Sequence, residues 1–281
     1  MTCAWQPMLN ILPPQLRGDV DRLGRDKLQE LRLRLGMQPE MVMQDGIKYL
    51  HSIVNQEVLQ FVVNAACRYS PWTATTAADG YITAKGGHRI GLCGEVTVKS
   101  GTMADVSRVT SLCIRVARDF PGIAGDAPKT GSMLIIGKPG SGKTTLLRDL
   151  IRMRSDSGKG SVAVVDERGE LFPSYQGNAC FLPGQRTDIL SGCPKRQGIE
   201  LLLRSMGPAT IAVDEITAEE DCRGLLHALW CGVDLLATAH AGTISEFMKR
   251  PVYKPIIESR VFSTVLVMQP DKRWREEKLP I

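Results

Sequence analysis

Several features are scarce in this 281-residue chain, and each scarcity removes a class of protein. No stretch reaches the roughly 18 uninterrupted apolar residues of a membrane-spanning helix, so no span is expected. The run Met1-Thr2-Cys3-Ala4-Trp5-Gln6-Pro7 has neither a basic start nor an apolar stretch behind it, and no export signal is expected. Eight cysteines, at 3, 67, 93, 113, 180, 193, 222 and 231, form no C-x-x-C pair. That argues against a zinc or disulfide framework and for buried, reduced thiols in a cytosolic protein. Aromatic residues make up 5%, and the chain lacks the basic stripe interleaved with aromatics that single-strand nucleic-acid binders show. Its net charge of +5 permits contact with nucleic acid or acidic lipid without arguing for either. There is no repeat and no low-complexity segment. What is present, 43% hydrophobic and 23% charged residues, describes a globular chain with room for one large domain or two ordinary ones.

The first half mixes both periodicities. Residues 20–30 predict a helix with Leu23 and Leu28 inward. Leu31-Arg32-Leu33-Arg34-Leu35 then alternates as a half-buried strand, putting Arg32 and Arg34 on its other face, toward solvent or a partner. Met41-Val42-Met43 and Ile47-Lys48-Tyr49-Leu50 flank an Asp45-Gly46 turn and predict a hairpin. Val58, Phe61, Val62, Ala65, Ala66 and Tyr69 share one helical face over residues 55–69, with Asn55 as N-cap. Strands are predicted at 81–83, 88–96 and 112–118, with turns at Gly86-Gly87 and Lys99-Ser100-Gly101. Residues 1–118 therefore read as an α+β domain with an antiparallel sheet. The Gly- and Pro-rich text after Asp119 predicts a linker over 119–132. Residues 133–281 form a second domain, ending in a charged tail, Lys272 to Lys278, expected to fray.

That second domain is organised around Gly137-Lys138-Pro139-Gly140-Ser141-Gly142-Lys143-Thr144, which fills every fixed position of the phosphate loop G-x-x-x-x-G-K-[ST]. Met133-Leu134-Ile135-Ile136 before it reads as a buried strand. Leu146, Leu147, Leu150 and Ile151 after it lie on one face of a helix. Glycine lets backbone N–H groups approach a polyphosphate, and the helix N-terminus favours its charge. Residues Gly137 through Thr145 are the candidate ATP-binding segment. Lys143 is expected on the β/γ-phosphates and the Thr144 hydroxyl on Mg²⁺. Beyond the loop, apolar strands at 161–165, 210–213, 235–238 and 261–267 alternate with helices near 195–206 and 219–231. This predicts an α/β P-loop NTPase fold, RecA/AAA-like, with a parallel sheet.

Three clusters end those strands, where open α/β sheets bind ligands. Asp214 and Glu215 follow an apolar strand; an acid there holds Mg²⁺ and its neighbour orients or deprotonates the attacking water. Asp166-Glu167 ends another strand, making Glu167 a second candidate for activating the water or a ligand of the metal's water shell. Thr238 and His240 end a third, either as structural residues or as sensors of the γ-phosphate. Charge on the transferring phosphoryl calls for an arginine in cis or from a neighbour. Arg115, Arg118 and Arg89 are candidates in the first domain, Arg186 and Arg204 in the second.

Taken in order, these residues resemble the stage III sporulation protein AA family. The resemblance rests on Leu31-Arg32-Leu33-Arg34, Gly86 to Leu92, Ile114-Arg115-Val116-Ala117-Arg118, the phosphate loop, Val165-Asp166-Glu167-Arg168, Arg186 to Lys195, Asp214-Glu215-Ile216 and Ala237-Thr238-Ala239-His240. That family is similar to the hexameric ATPases of type II and type IV secretion systems, whose Asp box and His box these clusters match. The resemblance implies a cytosolic motor ATPase on the mother-cell side of a secretion-like channel into the forespore, using ATP and Mg²⁺. It also implies a homo-hexamer, membrane-embedded channel subunits as partners, and arginines supplied between ring neighbours; without the basic stripe, no nucleic acid is expected. In the secretion ATPases the water-activating glutamate usually lies in the Asp box, which raises Glu167 against Glu215. Thr217 departs from the glycine expected after Asp-Glu-Ile. The competing function is a nucleotide-gated binding module, such as a nucleic-acid-binding protein, that hydrolyses little.

Overall fold

Proline sets where the first long helix begins. After a short helix Trp5–Asn10 (α1), Pro14 takes the first position of Pro14–Gly24 (α2), where its missing N–H costs nothing. The helix ends before the predicted 30, because Leu28 already belongs to the strand Leu28–Arg34 (β1). A bulge between Leu28 and Glu30 keeps Leu28 in phase with buried Leu31 and Leu33. The hairpin Glu40–Met43 (β2) and Gly46–Tyr49 (β3) follows, with Met43 opposite Gly46 and Gly46 at φ 135°. Gln56–Cys67 (α3) starts where the Asn55 side chain accepts the Val58 N–H at 3.0 Å. Then come Tyr81–Thr83 (β4), Arg89–Lys99 (β5) and Thr102–Arg115 (β6).

These strands form one antiparallel sheet in the order β3-β2-β1-β6-β5-β4. Its apolar face shares a core with the helices, including Met8, Leu12, Val20, Leu59 and Ile114. On the other face Arg32 donates to Glu30 at 2.7 Å and Arg34 to Glu40 at 2.6 Å, so the two arginines are ion-paired within their own sheet. The computed structural model describes residues 1–67, 80–99 and 102–279; Tyr69 of the predicted helix and Ser100-Gly101 of the predicted turn lie outside them.

In the second half, Met133–Gly137 (β7) leads through the phosphate loop into Lys143–Asp156 (α4), followed by Val162–Asp166 (β8). A small hairpin, Ser174–Tyr175 (β9) and Asn178–Ala179 (β10), comes next. Then follow Thr187–Ser191 (β11), Lys195–Ser205 (α5), Thr210–Ile216 (β12), Glu219–Trp230 (α6) and Asp234–His240 (β13). The chain closes with Ile244–Lys249 (α7), Lys254–Glu258 (α8), Thr264–Met268 (β14) and Trp274–Glu277 (β15). The sheet order is β11-β8-β12-β13-β7-β14-β15, parallel except for the last pair. Every residue of β7 and β8 is buried, as strands covered on both faces must be.

Compact units divide the chain differently from the expected boundaries. The first is Met1–Asp119 with Pro173–Phe181; the second is Phe120–Phe172 with Leu182–Ile281. The expected linker 119–132 is not a tether: Gly122 and Ala124 donate their N–H groups to the Asp149 carboxylate of α4, at 3.0 and 2.8 Å. The charged tail does not fray either. Trp274 to Glu277 pair with β14, and the Trp274 indole N–H reaches the Ile123 carbonyl at 3.2 Å. Of the eight thiols only Cys222 is fully buried, while Cys93 and Cys231 are exposed.

Candidate nucleotide site

In a parallel sheet all strands point the same way, so β7, β13, β12 and β8, neighbours in that order, bring their C-terminal tips to one edge. Those tips carry the phosphate loop, His240, Asp214-Glu215 and Asp166-Glu167.

The loop needs its glycines at defined positions. Gly140 and Gly142 sit at φ 73° and 102°, a region that side chains disfavour. A Cβ on Gly137 would lie 2.4 Å from Ser141 Oγ and 2.8 Å from Met268 Cβ. No side chain caps the start of α4, so its first N–H groups keep the dipole end open to an anion. Ser141 Oγ is buried with no hydrogen-bond partner.

Lys143 is buried. Its ammonium donates to the carbonyls of Gly137 (3.0 Å) and Lys138 (3.1 Å) and to His240 Nδ1 (3.0 Å). Nδ1 facing an ammonium must accept, so His240 carries its proton on Nε2 and donates it to Glu215 Oε1 at 2.7 Å. The other Glu215 oxygen accepts from Arg168 at 2.9 Å. Burial pulls the Lys143 pKa below the usual lysine value, against the opposing pull of Asp214 and Glu215.

Asp214 lies deeper. Its Oδ2 accepts the Thr144 hydroxyl at 2.8 Å and its Oδ1 accepts the Thr238 hydroxyl at 2.5 Å. Burial raises its pKa, while those two hydroxyls oppose the rise. A register shift of β12 between Val213 and Ile216 makes room for this pair. Within it Glu215 takes φ 55°, and its N–H is held by Thr238 Oγ1 at 2.7 Å. Thr238 is thus a fully buried bridge between two acids. Thr217, where the resemblance expects glycine, needs none: its φ is not positive, and its N–H donates to Asp221 at 2.9 Å.

The structure brings Lys143, Thr144, Thr145, Asp214, Glu215 and His240 around one cleft of about 340 Å³. Glu167 does not line that cleft. It sits at an adjoining pit of about 20 Å³, where Lys195 donates to its Oε2. Among the described residues no arginine lines the cleft. Arg186 binds the Gly158 carbonyl at 2.8 Å and Arg204 the Glu200 carbonyl at 3.2 Å. Within the first unit Arg115 is 3.4 Å from Glu30, Arg89 stacks over Tyr81 at 3.8 Å, and Arg118 donates to the Arg25 and Leu28 carbonyls.

Sequence reasoning missed three contributors. Glu170 lines the cleft; its N–H and that of Phe172 donate to the Asp166 carboxylate, at 2.9 and 2.8 Å. Arg148, buried in α4, braces the same loop by donating to the carbonyls of Leu171 and Glu170. Lys195 is the third. Arg148 falls outside the apolar face of Leu146, Leu147, Leu150 and Ile151, where an arginine reads as solvent-facing, so nothing in the sequence signals its burial.

Fold and cleft together define a P-loop NTPase-like fold. The pilus retraction motor PilT, solved with bound ADP, superposes with a TM-score of 0.61 at 15% identity, covering 90% of this chain and 76% of its own. The Legionella pneumophila ATPase DotB superposes with a TM-score of 0.55 at 17% identity, covering 93% of this chain and 78% of its own. At those identities the likeness is one of fold. The sequence is more specific: the chain belongs to the family described as sporulation stage III, protein AA, whose profile matches residues 6–276. The stage III sporulation protein AA of Bacillus subtilis is 35% identical over 270 residues, 91% of this chain and 88% of that protein. No helix among the described residues is long and apolar enough to cross a membrane.

Proposed function

We propose that this chain hydrolyses ATP as the motor of a secretion-like channel between mother cell and forespore, working as a ring of six copies at the membrane-embedded channel subunits. One observation carries the reading: Lys143 and Thr144 of a complete phosphate loop share a cleft with Asp214 and the hydrogen-bonded pair His240–Glu215.

The donors suit the cofactor that such a site implies. Thr144 Oγ1 and the Asp214 carboxylate are adjacent hard oxygens, and Mg²⁺ takes few protein ligands while keeping waters and phosphate oxygens. When bound, the ion neutralises charge on the transferring phosphoryl group. The chain's own groups do the rest. Lys143 leaves its carbonyls and His240 to reach the phosphates, since a polyphosphate competes for its protons better than neutral acceptors. His240 thereby loses its donor at Nδ1, while Nε2 keeps its bond to Glu215. Two carboxylates stand ready for the attacking water: Glu215, inside the cleft, and Glu167, at the pit beside it. The acting one is the residue whose Gln variant binds ATP and does not turn it over. Charge not met by Lys143 is met by Arg115 or Arg118 of a neighbouring copy.

The test is ATP turnover against protein concentration, with light scattering in the presence and absence of ATP. Turnover per subunit should climb as hexamers appear, and Lys143→Ala should abolish it. Turnover unchanged in Lys143→Ala would overturn the mechanism. Flat specific activity over a wide dilution range would remove the shared arginine. A chain that binds ATP and stays silent as a hexamer would be the nucleotide-gated binding module instead.

A further inference from the structure

Lys195 stands where a lysine is disfavoured. It is the first residue of α5, so its ammonium sits at the positive end of the helix dipole, and it is only 5% exposed. A buried ammonium is costly unless paired. Its partner is Glu167 Oε2, at the tip of β8. Asp221 is 3.9 Å away, but the same Asp221 oxygen already accepts the N–H groups of Thr217 and Ala218. Glu167 is therefore the group Lys195 holds.

The backbone is built for this contact. A Cβ on Gly198, one turn along α5, would lie 2.6 Å from Val165 Cγ1. The bare glycine lets the helix start close against the end of β8, bringing Lys195 to Glu167. The pit that Glu167 lines shares Glu170, Asp214 and Glu215 with the nucleotide cleft. Asp166 and Arg168 also line the pit, and Arg168 donates to Glu215 at 2.9 Å, while Lys195 donates to Glu167.

We infer that Lys195 is a positioning residue that holds the Glu167 carboxylate in the pit adjoining the nucleotide cleft, making Glu167 the group that acts on the attacking water. This rests on the ATPase reading above. Lys195 touches neither nucleotide nor water; it acts through Glu167.

The experiment compares kcat and KM for ATP in full-length wild type, Lys195→Met, Lys195→Arg, Glu167→Gln and the double variant Lys195→Met/Glu167→Gln. Misplacing a reacting group by about 1 Å costs on the order of 10²-fold. Lys195→Met should lower kcat by that order with KM unchanged, Lys195→Arg should recover most of it, and the double variant should be no slower than Glu167→Gln alone. Lys195→Gln, uncharged but hydrogen-bonding, serves if the Met variant fails to fold. A second readout needs no turnover: carbodiimide labelling of Glu167, mapped by mass spectrometry, should accelerate once Lys195 is replaced. Wild-type kcat in a folded Lys195 variant, a double variant slower by the full product of the single effects, or unchanged labelling of Glu167 would each overturn the inference. A silent wild type would sink the ATPase reading instead, and the labelling would still test the hold on Glu167.

Discussion

Replacing Thr238 by valine removes one hydroxyl and almost no volume, yet that hydroxyl serves two acids at once. It donates to Asp214 Oδ1 at 2.5 Å and accepts the Glu215 N–H at 2.7 Å, with Thr238 fully buried. A hydrogen bond to a charged group contributes about 1.5–3 kcal/mol, and a buried N–H left unpaired costs about 1–3 kcal/mol. Glu215 is also held at φ 55°, a backbone state that persists only while its surroundings enforce it. The two losses share one oxygen and are not fully additive, so Thr238→Val should destabilise the second unit by about 3–4 kcal/mol. Thr238→Ser, which keeps the oxygen and gives up a methyl, should cost only about 1 kcal/mol. Urea unfolding supplies the totals, and hydrogen exchange along β12 and β13 assigns them to this unit rather than to the other. Asp214 should also become easier to protonate, since the Thr238 bond is one of the contacts opposing its burial-driven rise. A Thr238→Val loss below about 1 kcal/mol, or a serine variant as weak as the valine one, would refute the reasoning.

Two further predictions follow from buried contacts. His88 is fully buried as a neutral ring, with Nε2 on the Ala4 carbonyl at 2.9 Å and Nδ1 accepting the Ala117 N–H at 3.1 Å. Burial, aided by Arg118, holds its pKa below the ordinary value of 6.5. The unfolded chain therefore binds the extra proton first, so stability of the first unit is full above pH 6.5 and falls as pH drops from there toward the folded-state pKa; denaturant titrations should show that slope weakened in a folded His88→Gln variant. Gly198→Ala should gain helix propensity but force α5 off Val165, for a net loss of about 1–3 kcal/mol and a drop in turnover, measured by thermal melts and ATPase assay.

The parts that were legible in the sequence share a physical reason: their constraints are local. The phosphate loop was readable because only glycine takes φ 73° and 102° without strain, and because strand and helix must flank it. β7, β8, β12 and β13 were readable because strands covered on both faces carry largely apolar runs up to their tips. Asp214, Glu215, Thr238 and His240, drawn from strand tips, meet in one cleft because parallel strands end on the same side, while Glu167 stands at the pit beside it.

What was misread depended on distant partners. Residues 122–124 look like linker text until Asp149, from another element, takes up their N–H groups. The charged run Trp274 to Glu277 becomes a strand only because β14 offers an edge. Leu28 satisfies helical spacing and strand alternation alike, and the bulge in β1 decides between them.

By itself, then, the sequence determined the kind of chemistry this chain can hold: a phosphate loop, acids and a histidine on strand ends, and the family to which they belong. Only the tertiary structure decided how those groups are paired. It set Lys143 on His240, His240 on Glu215, Thr238 between two acids, and Lys195 on Glu167. Residue types and local backbone states are written along the chain. Which buried charge meets which partner depends on strand order and helix approach, and these arise from packing across some hundred residues of sequence.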